Sequence, residues 1–393
     1  MVLFVSCWSC ALAEKPANEY AAIDKKALAI PKEQTGSTDA IASYMKANFT
    51  TDGDKVRAIF IWTATTIEYD VEHMFAIDFH EKEEDKVTKA LKTHKGICEN
   101  YAAVFAEVCR KSGIRAYVVP GYTKQGGTAS YLPHGWCAAI VDGEWLLFDP
   151  TWGSGYISNN RFVRKINNDL FKVKGAAMIK THMPFDPMWE LLPYPVTNQE
   201  FYEGKTNGDR SKAAFSYADS ITAYEMLSEL QQWASAVRRI EKNGVKNALV
   251  YDRLANIKQQ IEINKQQETV NAHNKIVDVY NEAVADYNNG INELNAFINY
   301  RNAQFTPMKT DGEIQGMADS AERKITHAKE LLNGLKDDDK SLSAMIASLN
   351  KGIDEAAKVM QEQQDFLKKY FAKGKLGRKT MFNKYTWMGI PLN

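Results

Sequence analysis

The seventeen residues from His134 to Pro150, HGWCAAIVDGEWLLFDP, constrain this chain more than any other stretch. Apolar residues flank Asp142-Gly143, a dipeptide that favours a two-residue hairpin turn because both positions tolerate positive φ. That turn predicts the register: Val141 faces Glu144, Trp136 faces Asp149 and His134 faces Thr151. Side chains alternate with a period of two, so His134 and Asp149 share a face as diagonal neighbours, roughly 7–8 Å apart at the backbone and within reach of long side chains. A slip of one residue would put them on opposite faces. An imidazole beside a carboxylate is thus expected within one hairpin. Cys137 falls on the other face and reads as core.

Upstream, KGICENYAAVFAEVCRKSGI places Tyr101, Ala102, Phe105, Val108 and Cys109 on one stripe of an amphipathic helix that stops at Gly113. Cys98 stands in its first turn. Unpaired backbone N–H groups and the positive dipole end favour thiolate over thiol there, and Gly96 allows a tight turn just before it. Taken alone, Cys98 also reads as a small buried hydrophobe. Combined with the hairpin, the three residues satisfy the logic of a nucleophile, a base and a group that orients the base.

The pattern GIC…HGW…DGEW…FDPTWG resembles the transglutaminase-like superfamily, whose papain-like core carries a Cys–His–Asp triad in this order. The segment THMPFDPMWELL is similar to the branch of kyphoscoliosis peptidase and cytokinesis-protein domains. The resemblance spans about residues 40–200. It implies Cys98 as nucleophile, His134 as base and Asp149 as orienter, on an α+β core with the cysteine helix packed on an antiparallel sheet. Trp62 and Tyr69, in FIWTATTIEYD, resemble a site-lining segment. With Glu99 and Trp136 they are the candidates for substrate or oxyanion contacts, core packing being the other reading of Trp62. His182 reads as structural. Animal transglutaminases have Trp where this chain has Glu99, and the common HAWN is here HGWC. These departures favour thiol hydrolysis over transamidation. The flanking β-sandwich domains of those enzymes are absent, so calcium activation is not implied.

The remaining sequence bounds the rest. With 393 residues, the chain has room for two or three domains. Its 49 basic and 49 acidic side chains balance, which gives no electrostatic case for nucleic acid. No internal apolar run approaches the roughly 20 residues of a membrane span. Asp70, His73, Asp78 and His80 lack regular metal-ligand spacing, and no phosphate loop is visible. No cofactor or metal is expected. The N-terminal VLFVSCWSCALAEK ends in an A-x-A pattern at Ala11–Ala13 and reads as a signal peptide over 1–13. A secreted or periplasmic, cell-envelope protein is the expectation. Phe4-Val5-Ser6-Cys7 keeps a lipid-anchored form open. Cleavage would leave Cys98, Cys109 and Cys137, an odd number.

Helices are predicted over 37–49 and 53–68, strands in RAYVVPGY and in the two arms of the hairpin, and a flexible loop over TKQGGTASYLP (123–133). The expected division is a catalytic domain over 14–202, a linker over 203–218, an all-α, coiled-coil-like arm over 219–373 and an aromatic tail over 374–393. Val270, Val277, Val284, Ile291 and Ile298 fall seven apart. So do Ile325 and Leu332, with Ile346, Ile353, Met360 and Leu367 in the same register. FTPMKTDG (305–312) breaks the pattern. The expectation is therefore a long antiparallel helical hairpin, its second arm one helix through KDDDK with Asp339 on the seam, preceded by a shorter helix at 219–242. A compact bundle of shorter helices is the alternative. The resulting functional expectation is a cysteine hydrolase or acyltransferase acting on peptide or protein amides through a Cys98 thioester. The rival is a non-catalytic scaffold that binds a protein partner through the helical arm.

Overall fold

The computed structural model describes residues 19–78, 81–335, 340–382, 386–387 and 390–391. The proposed signal peptide, Cys7, Cys10, His80, Asp339 and residues 383–385, 388–389 and 392–393 of the aromatic tail lie outside them. The chain divides into two compact units, Met1–Glu262 and Ile263–Asn393.

In the first unit, helices Thr38–Asn48 and Asp52–Thr66 form where the sequence predicts them; the first buries one face, while the second buries every residue from Val56 to Ala64. Each begins at a hydroxyl N-cap: Ser37 Oγ accepts from the Ala40 N–H and Thr51 Oγ1 from the Asp54 N–H. The cysteine helix runs Cys98–Lys111. It packs on a four-stranded antiparallel sheet ordered Glu144–Phe148, Thr128–Val141, Ala116–Gln125, His182–Pro184. The predicted hairpin register is observed, with Val141 opposite Glu144 and Cys137 opposite Phe148. Asp142 and Gly143 both have positive φ, at 54° and 84°, as the turn demands. Phe105 of the cysteine helix meets Phe148 at 5.3 Å between ring centroids. That contact ties the cysteine element to the residue before Asp149, and a fully buried aromatic side chain contributes roughly 1.5–3 kcal/mol.

Three expectations need correction. The stretch 123–133 is not a loop, because the strands run to Gln125 and resume at Thr128. Gly126 and Gly127, both at positive φ, suffice to turn the chain. The helix expected at 219–242 is two, Tyr217–Glu225 and Glu229–Asn243, separated where Ser228 caps the second. Nor does a separate arm begin at 219. Ile221 is buried with Trp145 and Trp189, while Ile240, Val250 and Leu254 are buried with Tyr122 and Phe201. Arg239 pairs with Asp186 at 2.7 Å. The amphipathic faces of these helices cover the sheet and its flanking loops, which places 217–262 in the first unit.

In the second unit, three helices share one core. The 55-residue helix Ala248–Asn302 supplies Ala283, Leu294 and Phe297. Asp311–Asn333 supplies Ile314, Ile325 and Leu332, and Lys340–Phe371 supplies Ile353, Met360 and Leu367. The reversal at 305–312 is present, but the expected single helix through KDDDK is not. The Asp311–Asn333 helix stops at Gly334, and the next helix returns antiparallel. Gln315 reaches Gln364 at 2.8 Å while Lys329 pairs with Asp354. Asn and Gly are good helix terminators, and stopping there lets both apolar seams bury against each other. Val270, predicted on a seam, is 51% exposed. Phe382, at the start of the aromatic tail, packs on Phe305, Phe366 and Tyr370.

The boundary generates a prediction. A fragment of residues 19–262 will unfold in one cooperative urea transition. A fragment ending at 205 will bind a hydrophobic dye and precipitate, because it exposes the apolar surface under Ile221 and Ile240. In the full chain, Arg239→Ala will cost about 3 kcal/mol by leaving Asp186 buried without its partner.

Candidate active site

The site is assembled around one carboxylate. Asp149 follows the last residue of its strand and is fully buried. The tight turn DPTW aims two backbone N–H groups back at it: Thr151 N and Trp152 N donate to Oδ1 at 2.9 and 3.0 Å. Oδ2 is left for side chains. His134 Nε2 lies 2.8 Å away and His182 Nε2 3.1 Å away. An ionised carboxylate can only accept, so both Nε2 atoms carry protons. For His134, that leaves Nδ1 for the Cys98 thiol, its remaining side-chain hydrogen-bond partner.

Cys98 is the first residue of its helix and is 4% exposed. Asn100 Oδ1 accepts from the Ile97 N–H at 2.9 Å, closing the helix start. Gly96 makes this possible, since a Cβ there would lie 2.5 Å from the Asn100 Cβ. Gly135 is different: a Cβ would meet the Glu99 Cα, the Glu99 N and the Ala102 Cβ at 3.8–3.9 Å, ordinary contact distances, so alanine would fit.

Burial alone would lower the His134 pKa, but the charge and hydrogen bond of Asp149, with the Cys98 contact, push it up to about 10. The opposite balance acts on Asp149. Burial raises its pKa, yet His134 and His182 outweigh that and hold the carboxyl well below the ordinary range. Burial lowers the His182 pKa despite Asp149, so this ring is neutral at physiological pH, with Thr181 Oγ1 2.8 Å from its Nδ1. The arrangement offers a sulfur nucleophile, a protonated imidazole aimed at it and a fixed counter-charge.

The other candidates separate. Tyr69 is half-buried beside Cys98, and burial first, then the neighbouring Cys98, raises its phenol pKa. Glu99 faces a cleft at Cys98 and pairs with Lys86 at 3.0 Å. Burial pushes its carboxyl up, against the opposing pull of Lys86. Trp136 is 1% exposed, stacks on His134 at 6.1 Å and lines neither cleft at Cys98. Trp62 is a core residue, 2% exposed in the main apolar cluster, and lines neither cleft at Cys98. Cys137 is buried, its thiol donating to the Ala102 carbonyl at 3.3 Å. Asp70 and His73 pair with each other at 2.9 Å. His182 is the residue whose part sequence reasoning missed. Its strand lies 33 residues beyond Asp149, and only the THMP context marked it.

His134, Asp149 and His182 also form, among the described residues, the one cluster compact enough to ligate a metal, with donor atoms within 4.8 Å. Their facing atoms are already joined to one another by hydrogen bonds.

The fold and this constellation define a thiol-centred, papain-like core. Residues 39–150 match the transglutaminase-like superfamily, and the chain carries a domain of that type. Kyphoscoliosis peptidase of Mus musculus is 35% identical over 158 residues, which cover 38% of this chain and 23% of that protein. The Homo sapiens protein is 33% identical over 171 residues, 42% of this chain and 25% of that one. The matched region is thus about a quarter of these relatives' length. Among solved structures, the periplasmic domain of TgpA from Pseudomonas aeruginosa is 24% identical over 33% of this chain and 49% of that one, with a TM-score of 0.25.

Two predictions follow from the carboxylate. His182→Ala removes a charge-assisted hydrogen bond from a buried Asp149 and will lower stability by about 2–3 kcal/mol in urea titrations. The His134 pKa is raised above its ordinary 6.5, so its stabilising contribution is complete below pH 6.5 and is lost as pH rises through about 10. The stability deficit of His134→Ala will therefore be larger at pH 6 than at pH 10.

Proposed function

We propose that this protein is a cysteine hydrolase or acyltransferase acting on peptide or protein amides, with hydrolysis favoured over crosslinking. The observation that carries this reading is the continuous chain from Cys98 to His134 to Asp149. The Cys98 sulfur attacks the amide carbonyl. His134, protonated on Nδ1, gives that proton to the leaving amine as the C–N bond breaks, and a thioester to Cys98 remains. Neutral His134 then takes a proton from water, whose oxygen attacks the thioester and releases the acid and the thiol. The Cys98 backbone N–H, at a helix start where it has no intrahelical acceptor, donates to the oxyanion. Tyr69 is the side chain proposed to assist it.

Glu99 supports hydrolysis: an ion-paired carboxylate stands where crosslinking enzymes carry an indole. The peptidase name of the relatives points the same way. The N-terminal signal-like segment supports action in the cell envelope or outside the cell. The scaffold reading keeps one supporting observation, the nearly complete burial of Cys98.

The test is chemical. In the protein lacking residues 1–13, and so Cys7 and Cys10, iodoacetamide will label one site and Cys98→Ala will abolish it, because Cys98 lines both clefts while Cys109 and Cys137 line neither. Incubation with a peptide library will leave an acyl group on Cys98 detectable by intact-mass spectrometry, and His134→Ala will slow its formation about 10²–10⁴-fold. Labelling of Cys98 without acylation by any peptide would favour the scaffold.

A further inference from the structure

Two clefts share Cys98 and His134 in their walls, with Ile77 and Pro133 also common to both. Otherwise their chemistry differs. The first, of about 420 Å³, is lined by five acidic and three basic side chains. Most of these charges are paired: Lys86 with Glu99 and Arg110 with Glu83, each at 3.0 Å, Asp186 with Arg239 at 2.7 Å and the lining His134 with Asp149; burial lowers the Arg253 pKa against the pull of Glu99. Glu81 and Glu229 have no ion-pair partner among the described residues, so the cleft keeps an excess of negative charge. The second, of about 670 Å³, has no Asp, Glu, Lys or Arg among the described residues that line it. Tyr69, Met74, Trp152, Tyr156, Ile157 and Phe162 form much of its wall. Tyr156 and Ile157 stand 52% and 41% exposed at its rim, on the short hairpin Gly155–Arg164.

We propose that the two clefts divide a peptide chain across Cys98. The uncharged cleft receives an aromatic or aliphatic side chain on one side of the reacting amide, and the acidic cleft receives a basic side chain on the other. This rests on the cysteine-enzyme reading for its reaction but not for its binding. His134 is the one ionisable imidazole in this uncharged cleft and its charge is already taken by Asp149, so a charged side chain would lose water and find no free counter-ion, which is costly, whereas an apolar one gains by leaving water. In the other cleft, Glu81 and Glu229 reward a cation and repel a carboxylate. A pocket that rejects by unpaired charge discriminates more sharply than one that sorts by size.

The test uses the full chain carrying Cys98→Ala, so that binding is read without turnover. Fluorescein-labelled decapeptides with a central Gly-Gly amide carry Phe on one side and Lys on the other, in both orders. Matched peptides carry Glu in place of Phe, Lys in place of Phe, or Glu in place of Lys. In one order, the Phe/Lys peptide will bind at least tenfold tighter than each matched peptide by fluorescence anisotropy. Ile157→Lys, at an exposed rim position, will shift the preference at the Phe position toward Glu by at least tenfold. Tyr156→Lys serves as the second variant. Affinities within twofold across the panel, or an unchanged order in both variants, would overturn the assignment. If the parent forms no thioester while the Cys98→Ala protein keeps this selectivity, the reaction fails and the cleft assignment stands.

Discussion

One buried carboxylate organises this molecule. Asp149 accepts four hydrogen bonds, two from backbone N–H groups in its own turn and two from imidazoles. A carboxylate removed from water is costly unless every lone pair is used. Here the backbone donors claim one oxygen, so the other has a defined direction. The rings that reach it are then fixed in tautomer as well as position. The chemistry at Cys98 follows from that geometry, because only one His134 nitrogen is left to face the sulfur.

Much of this was readable from the residues. Asp142-Gly143 set the turn, the turn set the register, and the register put His134 and Asp149 on one face, as the strands pair. Those are local rules with a period of two, and local rules survive folding. The Cys98 helix was equally plain from its stripe and its glycine stop. His182 was not, because its place beside Asp149 depends on a strand that pairs with Ala116–Gln125, and no local pattern encodes which strand it joins. Trp62 was left between site lining and core packing, and the core reading is the one observed; the helix Asp52–Thr66 buries nearly its whole central circumference, so periodicity could not say which side faces the cleft.

The helical half shows the complementary limit. Seven-residue spacing identified which residues seek burial, and most of them find it. It could not say how many helices share the seam. A continuous register across 334–340 is compatible with one helix or with two that fold back, and the contacts Gln315–Gln364 and Lys329–Asp354 show the second. The same holds for 217–262. Amphipathic helices announce an apolar face but not its partner, and here the partner is the sheet that carries the site. The segment read as the start of an arm instead supplies Trp233 and Arg253 to the wall of a cleft at Cys98.

Cys98, Cys109 and Cys137 are all buried as free thiols, with Cys137 bonded to a backbone carbonyl. Among the described residues, no crosslink holds the fold; apolar cores and hydrogen bonds do. The proposed chemistry, by contrast, hangs on a single sulfur that oxidation to the sulfinic level would silence irreversibly.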